Sequence, residues 1–196
     1  MKEIVNLLNE AGMLARIPRS GFAFLGSGKQ SVAEHTYRMT IVAFALAKLN
    51  KDPVDMHRLT MICLFHDLAE ARTGDLNYVN KKYVTANESA VLKELREESP
   101  FGSEICAWID EYNDRATTEA KIAHDADQIE LLLVLKEQMD IGNSRAQGWF
   151  DKTVQRLTTP QAKAVAETIR ATPGDAWWLK DLDHLHWVDG RSGIKT

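Results

Sequence analysis

The stretch FHDLAEARTGD, residues 65 to 75, places a group of polar side chains directly after an apolar run. Leu59, Ile62 and Phe65 recur at helical spacing before it, so another apolar residue would normally follow. The chain turns acidic instead. Imidazole and carboxylate groups together form a donor set for divalent metal ions. This segment is therefore the first candidate for a functional site. Its polar members are His66, Asp67, Glu70 and Asp75.

Two more residues elsewhere in the chain, His35 and Asp127, have the same chemistry. Asp127 lies within an apolar pattern that includes Ala126 and Ile129, where a carboxylate without a partner is costly to bury. Two histidines and two aspartates suit Mn, Co, Ni, Fe or Zn, and no cysteine is placed to add a thiolate. Asp127 as a cap or arginine partner, and His35 as a structural histidine, are alternatives that the residue types alone leave open.

Three predicted helices position these candidate ligands. Ser31 and Glu34 form an S-x-x-E capping box that starts a helix running to about residue 49, with His35 in its first turns. Asp52 and Pro53 indicate the start of a second helix that continues to about residue 71 and carries the His-Asp pair near its end. A long helix from 118 to about 139 is apolar over a wide face, which indicates a central position for Asp127.

The remaining pattern is also helical. Amphipathic spacing predicts helices over 2–15, over 86–98 with a second capping box at Thr85 and Glu88, over SEICAWIDEY, and after Pro160. No alternating strand pattern appears, so the fold class is all-α with seven or eight helices. We assign residues 1–175 to a single domain and 176–196 to a Trp-rich tail that packs on the domain or at an interface. His184 and His186 are interpreted as part of that tail.

Composition limits the classes of partner. The chain of 196 residues is 44% hydrophobic, enough for one domain with a sizeable core. Its net charge of -4 argues against a nucleic-acid polymer as partner, since such binding depends on lysines and arginines that neutralise phosphates. Its two cysteines, Cys63 and Cys106, fall in apolar helical patterns and fit buried thiols in a reducing compartment. With no signal-peptide core and no apolar run of membrane-spanning length, a cytoplasmic protein without a membrane partner is expected.

The order His35, then His66 with Asp67, then Asp127 resembles the motif of the HD-domain metal-dependent phosphohydrolases. The segments RIPRSGF, SVAEHTYRM and FHDLAEARTGD, with a D-x-x-E helix, are similar to the 5'-deoxynucleotidase branch of that superfamily over residues 12 to about 140. The resemblance implies that these four residues bind one divalent ion, with Co, Mn, Ni, Fe, Zn and Mg all left open. It also implies hydrolysis of deoxyribonucleoside 5'-monophosphates to nucleoside and phosphate by a homodimer.

The resemblance assigns roles to three more residues, and the chemistry of arginine adds a fourth candidate. Glu70 orients or deprotonates water, which suits a carboxylate beside a metal site. Asp75, in a Gly-Asp pair, helps to hold the sugar and the leaving oxygen. Arg16 matches the phosphate-binding arginine of the family, and Arg19 is a second candidate, because a guanidinium can grip a phosphate with two hydrogen bonds. Some bacterial members follow the arginine with tryptophan, whereas Ile17 stands here.

Three alternative functions remain to be weighed. A dinuclear HD enzyme needs further histidines between the His-Asp pair and the last Asp, but residues 68–123 contain none. A dNTP triphosphohydrolase needs several basic groups, and few lie around the motif, while another small phosphoester is not excluded as substrate. A non-catalytic protein that senses nucleotide or metal would be expected to lose a ligand or an acidic residue, yet all are present. The basic residues near the motif are Arg16, Arg19, Lys29, Arg38 and Arg72.

Overall fold

Helices make up almost all of the regular structure in the computed structural model, which describes residues 1–180 and residue 182. Within these residues there are ten α-helices and no β-strand, and eight of the helices have ten or more residues. The predicted all-α class is therefore confirmed. The helices are α1 (Lys2–Met13), α2 (Phe22–Leu25), α3 (Val32–Leu49), α4 (Met56–Phe65), α5 (Glu70–Thr73), α6 (Glu88–Glu98), α7 (Gly102–Asp114), α8 (Thr118–Asp140), α9 (Arg145–Val154) and α10 (Pro160–Ala171).

Helix α8 is the central element, as its wide apolar face predicts. It packs against α3, α4, α7, α9 and α10. Ile122, Ile129 and Leu135 on this helix are essentially inaccessible to solvent and belong to the main hydrophobic core. Because the helix is surrounded, a polar residue on it must find a partner within the protein.

Several helix starts follow the capping signals in the sequence. The Ser31 hydroxyl accepts a hydrogen bond from the Glu34 amide, and the Glu34 carboxylate accepts one from the Ser31 amide, which confirms the predicted capping box. Thr159 caps α10, with Pro160 in its first turn. The predicted box at Thr85 is wrong, because α6 begins later and the Asn87 side chain caps it.

The second predicted helix differs from the structure at both ends. It begins at Met56 rather than near Pro53, because Asp55 is the residue whose carboxylate accepts from the Arg58 amide. It ends at Phe65 rather than near residue 71. The chain then passes through tighter turns, in which Leu68 donates to the Phe65 carbonyl and closes a ring of 3₁₀ type. The His-Asp pair thus lies in a turn beyond the helix.

Both cysteines are free and buried, in agreement with the sequence. None of the described helices combines the length and apolar character that a membrane span requires. The tail proposed for 176–196 lies largely outside the described residues, and so do His184 and His186. Trp177 and Trp178 at its start are exposed.

Candidate active site

Four predicted metal ligands come together where α3, the end of α4 and α8 meet. His35, His66 and Asp127 each place one donor atom within 4.8 Å of the other two. The Oδ2 atom of Asp67 lies 3.0 Å from His66 Nε2 and 3.7 Å from His35 Nε2. The structure therefore brings together two imidazoles and two carboxylates that are separated by up to 92 positions in the sequence.

Both imidazole rings are oriented by a hydrogen bond on the side away from this cluster. His35 Nδ1 is 2.6 Å from Glu130 Oε2, and His66 Nδ1 is 2.9 Å from the Cys63 carbonyl oxygen. A carboxylate and a carbonyl only accept hydrogen bonds, so each Nδ1 carries the hydrogen. The lone pair of each neutral ring is then on Nε2, the atom that faces the cluster. This is the arrangement of metal-binding histidines.

Three donor atoms of the cluster are left without a hydrogen bond. His35 Nε2, His66 Nε2 and Asp67 Oδ2 are all buried, and none has a hydrogen-bond partner among the described residues. Buried polar atoms of this kind are costly unless something satisfies them. Nitrogen and carboxylate oxygen donors that converge in this way fit a divalent metal ion.

Glu130 completes the support of His35 and was not identified from the sequence. Its side chain is fully buried, and Oε1 accepts hydrogen bonds from Gln30 Nε2 at 2.7 Å and Arg38 Nε at 2.8 Å. Burial alone would lower the pKa of His35, but the carboxylates of Asp127 and Glu130 raise it to about 9. The D-x-x-E spacing could have identified Glu130, because residues three positions apart, here Asp127 and Glu130, share a helix face.

Asp127 is held from its other side by α7. Tyr112 donates its hydroxyl to Asp127 Oδ2 at 3.1 Å, and the Gln128 amide donates to the same oxygen at 2.8 Å. The Tyr112 ring also packs on the ring of His66, with 4.9 Å between centroids. Burial would raise the pKa of Asp127, yet the neighbouring His35 and Arg19 hold it well below its ordinary value. Asp127 is therefore anionic and directed toward the cluster.

Glu70 faces the cavity beside the cluster. Its Oε2 atom is buried and has no hydrogen-bond partner in the part of the chain that the structure describes. Burial, reinforced by the carboxylates of Asp67 and Asp75, raises its pKa from an ordinary 4.5 to about 8. A carboxyl group with such a pKa can exchange a proton near neutral pH.

Asp75 fixes the loop that follows α1. Its Oδ2 atom accepts from the Ser20 amide at 2.6 Å and from the Ser20 hydroxyl at 3.3 Å. Asn77 donates to the same hydroxyl at 3.1 Å. Through these bonds the Gly-Asp loop holds the segment that contains Arg19.

Only one of the two candidate arginines reaches the cavity. Arg19 Nη1 lies 3.6 Å from Asp67 Oδ2, and the acidic groups around it, Asp127 first, raise its pKa although burial acts the other way. Arg16 is exposed and does not line the cavity. The chain is not helical between the two residues, and Ile17 takes the inward position against the core.

The cavity next to the cluster has a volume of about 500 Å³. One end carries the acidic residues and Arg19, and Lys81, Arg115 and Arg156 contribute basic side chains that are exposed. A third part of the lining is apolar. Phe22, Leu25, Leu131, Val134 and Trp149 belong to this part.

Two polar residues beside Asp127 have a structural role. Asp125 is fully buried and accepts hydrogen bonds from the amides of Thr158 at 2.9 Å and Thr159 at 2.7 Å. His124 is also buried, and its Nδ1 lies 3.3 Å from Asp125 Oδ1. Neither residue belongs to the cluster of candidate ligands.

Comparison with known proteins agrees with this geometry. A family model described as HD domain matches residues 11–170. The chain belongs to the HD domain family. This HD domain chain is 28% identical to the 5'-deoxynucleotidase HDDC2 of Bos taurus over 87% of its own length and 85% of the relative. It is 31% identical to the 5'-deoxynucleotidase hdd1 of Schizosaccharomyces pombe, over 68% and 71% of the two chains.

A solved structure shows the same fold. It is a conserved hypothetical protein from Pyrococcus furiosus, with a TM-score of 0.72 and 27% sequence identity. The alignment covers 86% of this chain and 99% of the other.

Proposed function

We propose that this HD domain protein is a metal-dependent phosphomonoesterase that hydrolyses deoxyribonucleoside 5'-monophosphates to nucleoside and phosphate. The observation that carries the proposal is the convergence of three buried, unpartnered donor atoms, on His35, His66 and Asp67, beside Glu70 and Arg19. The relatives from Bos taurus and Schizosaccharomyces pombe, both named 5'-deoxynucleotidases, support the choice of reaction and substrate.

The residues around the cluster have distinct tasks in this reaction. A divalent ion held by the two imidazoles and two carboxylates would polarise the phosphoryl group and lower the pKa of a bound water. Arg19 binds the phosphate oxygens, because its guanidinium is the one that the loop directs into the cavity. Glu70 takes the proton of the attacking water, a role for which its raised pKa is suited. The phosphate role first considered for Arg16 has no support from its exposed position.

Asp75 is the proposed sugar-binding residue. It lines the cavity, and one of its oxygens already accepts from Ser20. The second carboxylate oxygen can accept a hydrogen bond from the 3'-hydroxyl of a deoxyribose. In this arrangement the same residue positions the phosphate-binding loop and the substrate.

A dNTP triphosphohydrolase is the second candidate, and one observation favours it. Lys81, Arg115 and Arg156 line the same cavity, so the site offers more cationic groups than the sequence around the motif indicated. A longer phosphate chain could reach them. A triphosphate therefore belongs among the test compounds.

The test is phosphate release from 5'-dAMP, 5'-AMP, 3'-dAMP and dATP by metal-stripped protein to which Co²⁺, Mn²⁺, Ni²⁺ or Mg²⁺ is returned. We expect release from 5'-dAMP well above the other three compounds, and none from the Asp67→Ala variant. Cleavage of dATP alone, with triphosphate as the product, would replace the proposal by the second candidate. Nucleotide binding without any phosphate release would indicate a sensing protein.

The assembly and location of the protein are further parts of the proposal. We propose a homodimer on the basis of the family resemblance, and a cytoplasmic location that the two free, buried thiols support. Sedimentation velocity at micromolar concentration tests the dimer, and a monomer at all concentrations would contradict it.

A further inference from the structure

The apolar part of the cavity lies along α8, directly beyond the cluster. Asp127, Leu131 and Val134 on this helix all line the cavity, at spacings of four and three residues that keep them on one face. With a rise of about 1.5 Å per residue, the seven positions from Asp127 to Val134 cover about 10 Å. The acidic end and the apolar end are therefore two regions of one continuous space.

Trp149 of α9 lines this apolar region and lies against the loop that contains Arg19 and Gly21. A Cβ atom added at Gly21 would stand 2.6 Å from Trp149 Cη2, so the indole fits there only because residue 21 has no side chain. Gly21 is two positions after Arg19, and both residues line the cavity. The loop that presents the guanidinium thus also borders the indole.

The opposite part of the apolar region is fixed in place by hydrogen bonds. Asn143 Nδ2, between α8 and α9, donates to the Leu25 carbonyl oxygen at 3.0 Å and to Ser27 Oγ at 2.8 Å. These bonds tie α2, with Phe22 and Leu25, to the helices that carry Leu131 and Trp149. The apolar surface is consequently preformed, which reduces the ordering cost of binding a ligand.

We propose that Trp149, with the apolar surface of α2 and α8 around it, is the binding surface for the base of the substrate. This inference rests on the proposed function and extends it, because it identifies which part of the cavity holds the leaving nucleoside. When the phosphate of a nucleotide lies at Arg19 and the metal ligands, its base reaches about as far as the apolar region extends. The flat face of a base matches the carbon surface found there.

This mode of binding depends on contact area. The side chains of Phe22, Leu131, Val134 and Trp149 present carbon and ring surface, so they hold a base through its face and do not read its edge. We therefore expect all common deoxyribonucleoside monophosphates to bind, and purines more tightly than pyrimidines because of their larger area.

Binding of deoxyadenosine to the Mn²⁺-loaded protein, measured by titration calorimetry, tests the surface without requiring hydrolysis. Trp149→Ala should weaken this binding by about 10-fold, within the range of base–aromatic contacts. Gly21→Ala should weaken it by about 3-fold or more, because the new Cβ displaces the indole ring. The backbone angles of Gly21, φ -60° and ψ -29°, are ones that alanine readily adopts.

Two control variants are available in the same chain. Trp108 is a partly buried tryptophan that packs on the same core but does not line the cavity, and Gly12 has nothing within 4 Å of an added Cβ. Trp108→Ala and Gly12→Ala should leave deoxyadenosine affinity within about 2-fold of the wild type. Trp149→Phe, which keeps a smaller ring, should recover part of the lost affinity.

The outcomes separate this inference from the proposed function. Unchanged affinity in Trp149→Ala and Gly21→Ala, or equal losses in the control variants, would overturn the binding surface even in an active enzyme. No binding of deoxyadenosine by a wild-type protein that hydrolyses 5'-dAMP would overturn it as well. Binding that is lost in the two variants, in a protein that releases no phosphate, would support the surface and contradict the nucleotidase.

Discussion

At the scale of single residues, the chemistry of the site depends on which atom of each side chain is already engaged. His35 and His66 are bonded through Nδ1, and this leaves each Nε2 toward the cluster. Glu130 sets this orientation for His35 and is itself held by Gln30 and Arg38. A residue that touches neither substrate nor metal therefore controls one of the four donors.

Glu130→Gln is predicted to weaken divalent metal binding by about 10- to 100-fold, the usual cost of altering a partner behind a metal ligand. The amide no longer supplies the negative charge that supports the imidazole and pairs with Arg38. Competition with a chromophoric chelator measures the affinity. Glu137→Gln is the matched control, because the exposed Glu137 also pairs with Arg38 but not with His35. Equal effects of both changes would contradict the orienting role.

Glu70→Gln is predicted to lower kcat for 5'-dAMP by about 100-fold or more, because the amide cannot accept the proton of water. Metal affinity should change little, since Glu70 is proposed to act on the water and not to hold the ion. Initial rates of phosphate release and a chelator titration measure the two quantities. A large loss of metal affinity with a proportionate loss of kcat would indicate that Glu70 is a metal ligand instead.

The residues of the site were predictable to different degrees. His66 and Asp67 are adjacent, so the sequence shows this pair directly. His35 and Asp127 were found from their order before and after the pair. The choice between Arg16 and Arg19 was not predictable, since no periodicity fixes side-chain direction in a loop. Trp149 was not predicted because its proposed role depends on its contact with Gly21, 128 positions away in the sequence.

At the scale of elements, helix ends bring the site together. Helix α4 ends at Phe65, and tighter turns carry Asp67 and Glu70 into the cavity. Apolar spacing predicted most of the helices, and capping residues located the starts of α3 at Ser31 and of α10 at Thr159. Helix α9 was not predicted, because Gly148 interrupts its helical pattern.

Asp125→Ala is predicted to lower the free energy of unfolding by about 2 to 3 kcal/mol, because it leaves the amides of Thr158 and Thr159 without their buried acceptor. These bonds join α8 to the start of α10. Urea denaturation followed by circular dichroism measures the change. Asp110→Ala removes only an exposed pair with Arg96 and should cost less than about 0.5 kcal/mol. A similar cost in both variants would contradict the structural role of Asp125.

At the scale of the whole molecule, the fold holds titratable groups in an environment that favours their protonated forms. In the metal-free protein the pKa of Glu70 is raised from 4.5 to about 8, and that of His35 from 6.5 to about 9. Both groups bind a proton more tightly in the folded than in the unfolded chain. Their contribution to stability is complete at low pH and is lost as the pH rises through these values. Asp67 has a lowered pKa, so it changes the pH dependence of stability only at more acidic pH.

We therefore predict that the metal-stripped protein loses stability between about pH 5 and pH 9. Urea denaturation in the presence of a chelator, at three pH values in this range, measures the free energy of unfolding. Glu70→Gln should remove the loss between about pH 5 and pH 6.5, where Glu70 alone contributes, and should leave the loss that is due to His35 between pH 6.5 and about pH 9. Saturating metal should raise stability most at the alkaline end, since the ion competes with the proton on His35. Stability that rises steadily with pH in the stripped protein would contradict the account.

The most direct test of the central claim is the rate of phosphate release from 5'-dAMP while metal-stripped protein is titrated with Mn²⁺ or Co²⁺. The site described here predicts no release without metal, and a rate that increases until one ion is bound per chain. It also predicts that Asp127→Asn remains inactive at the same metal concentrations, while Asp110→Asn follows the wild type. Full activity in the stripped protein, or in Asp127→Asn, would contradict the assignment of His35, His66, Asp67 and Asp127 as the metal centre of a phosphatase.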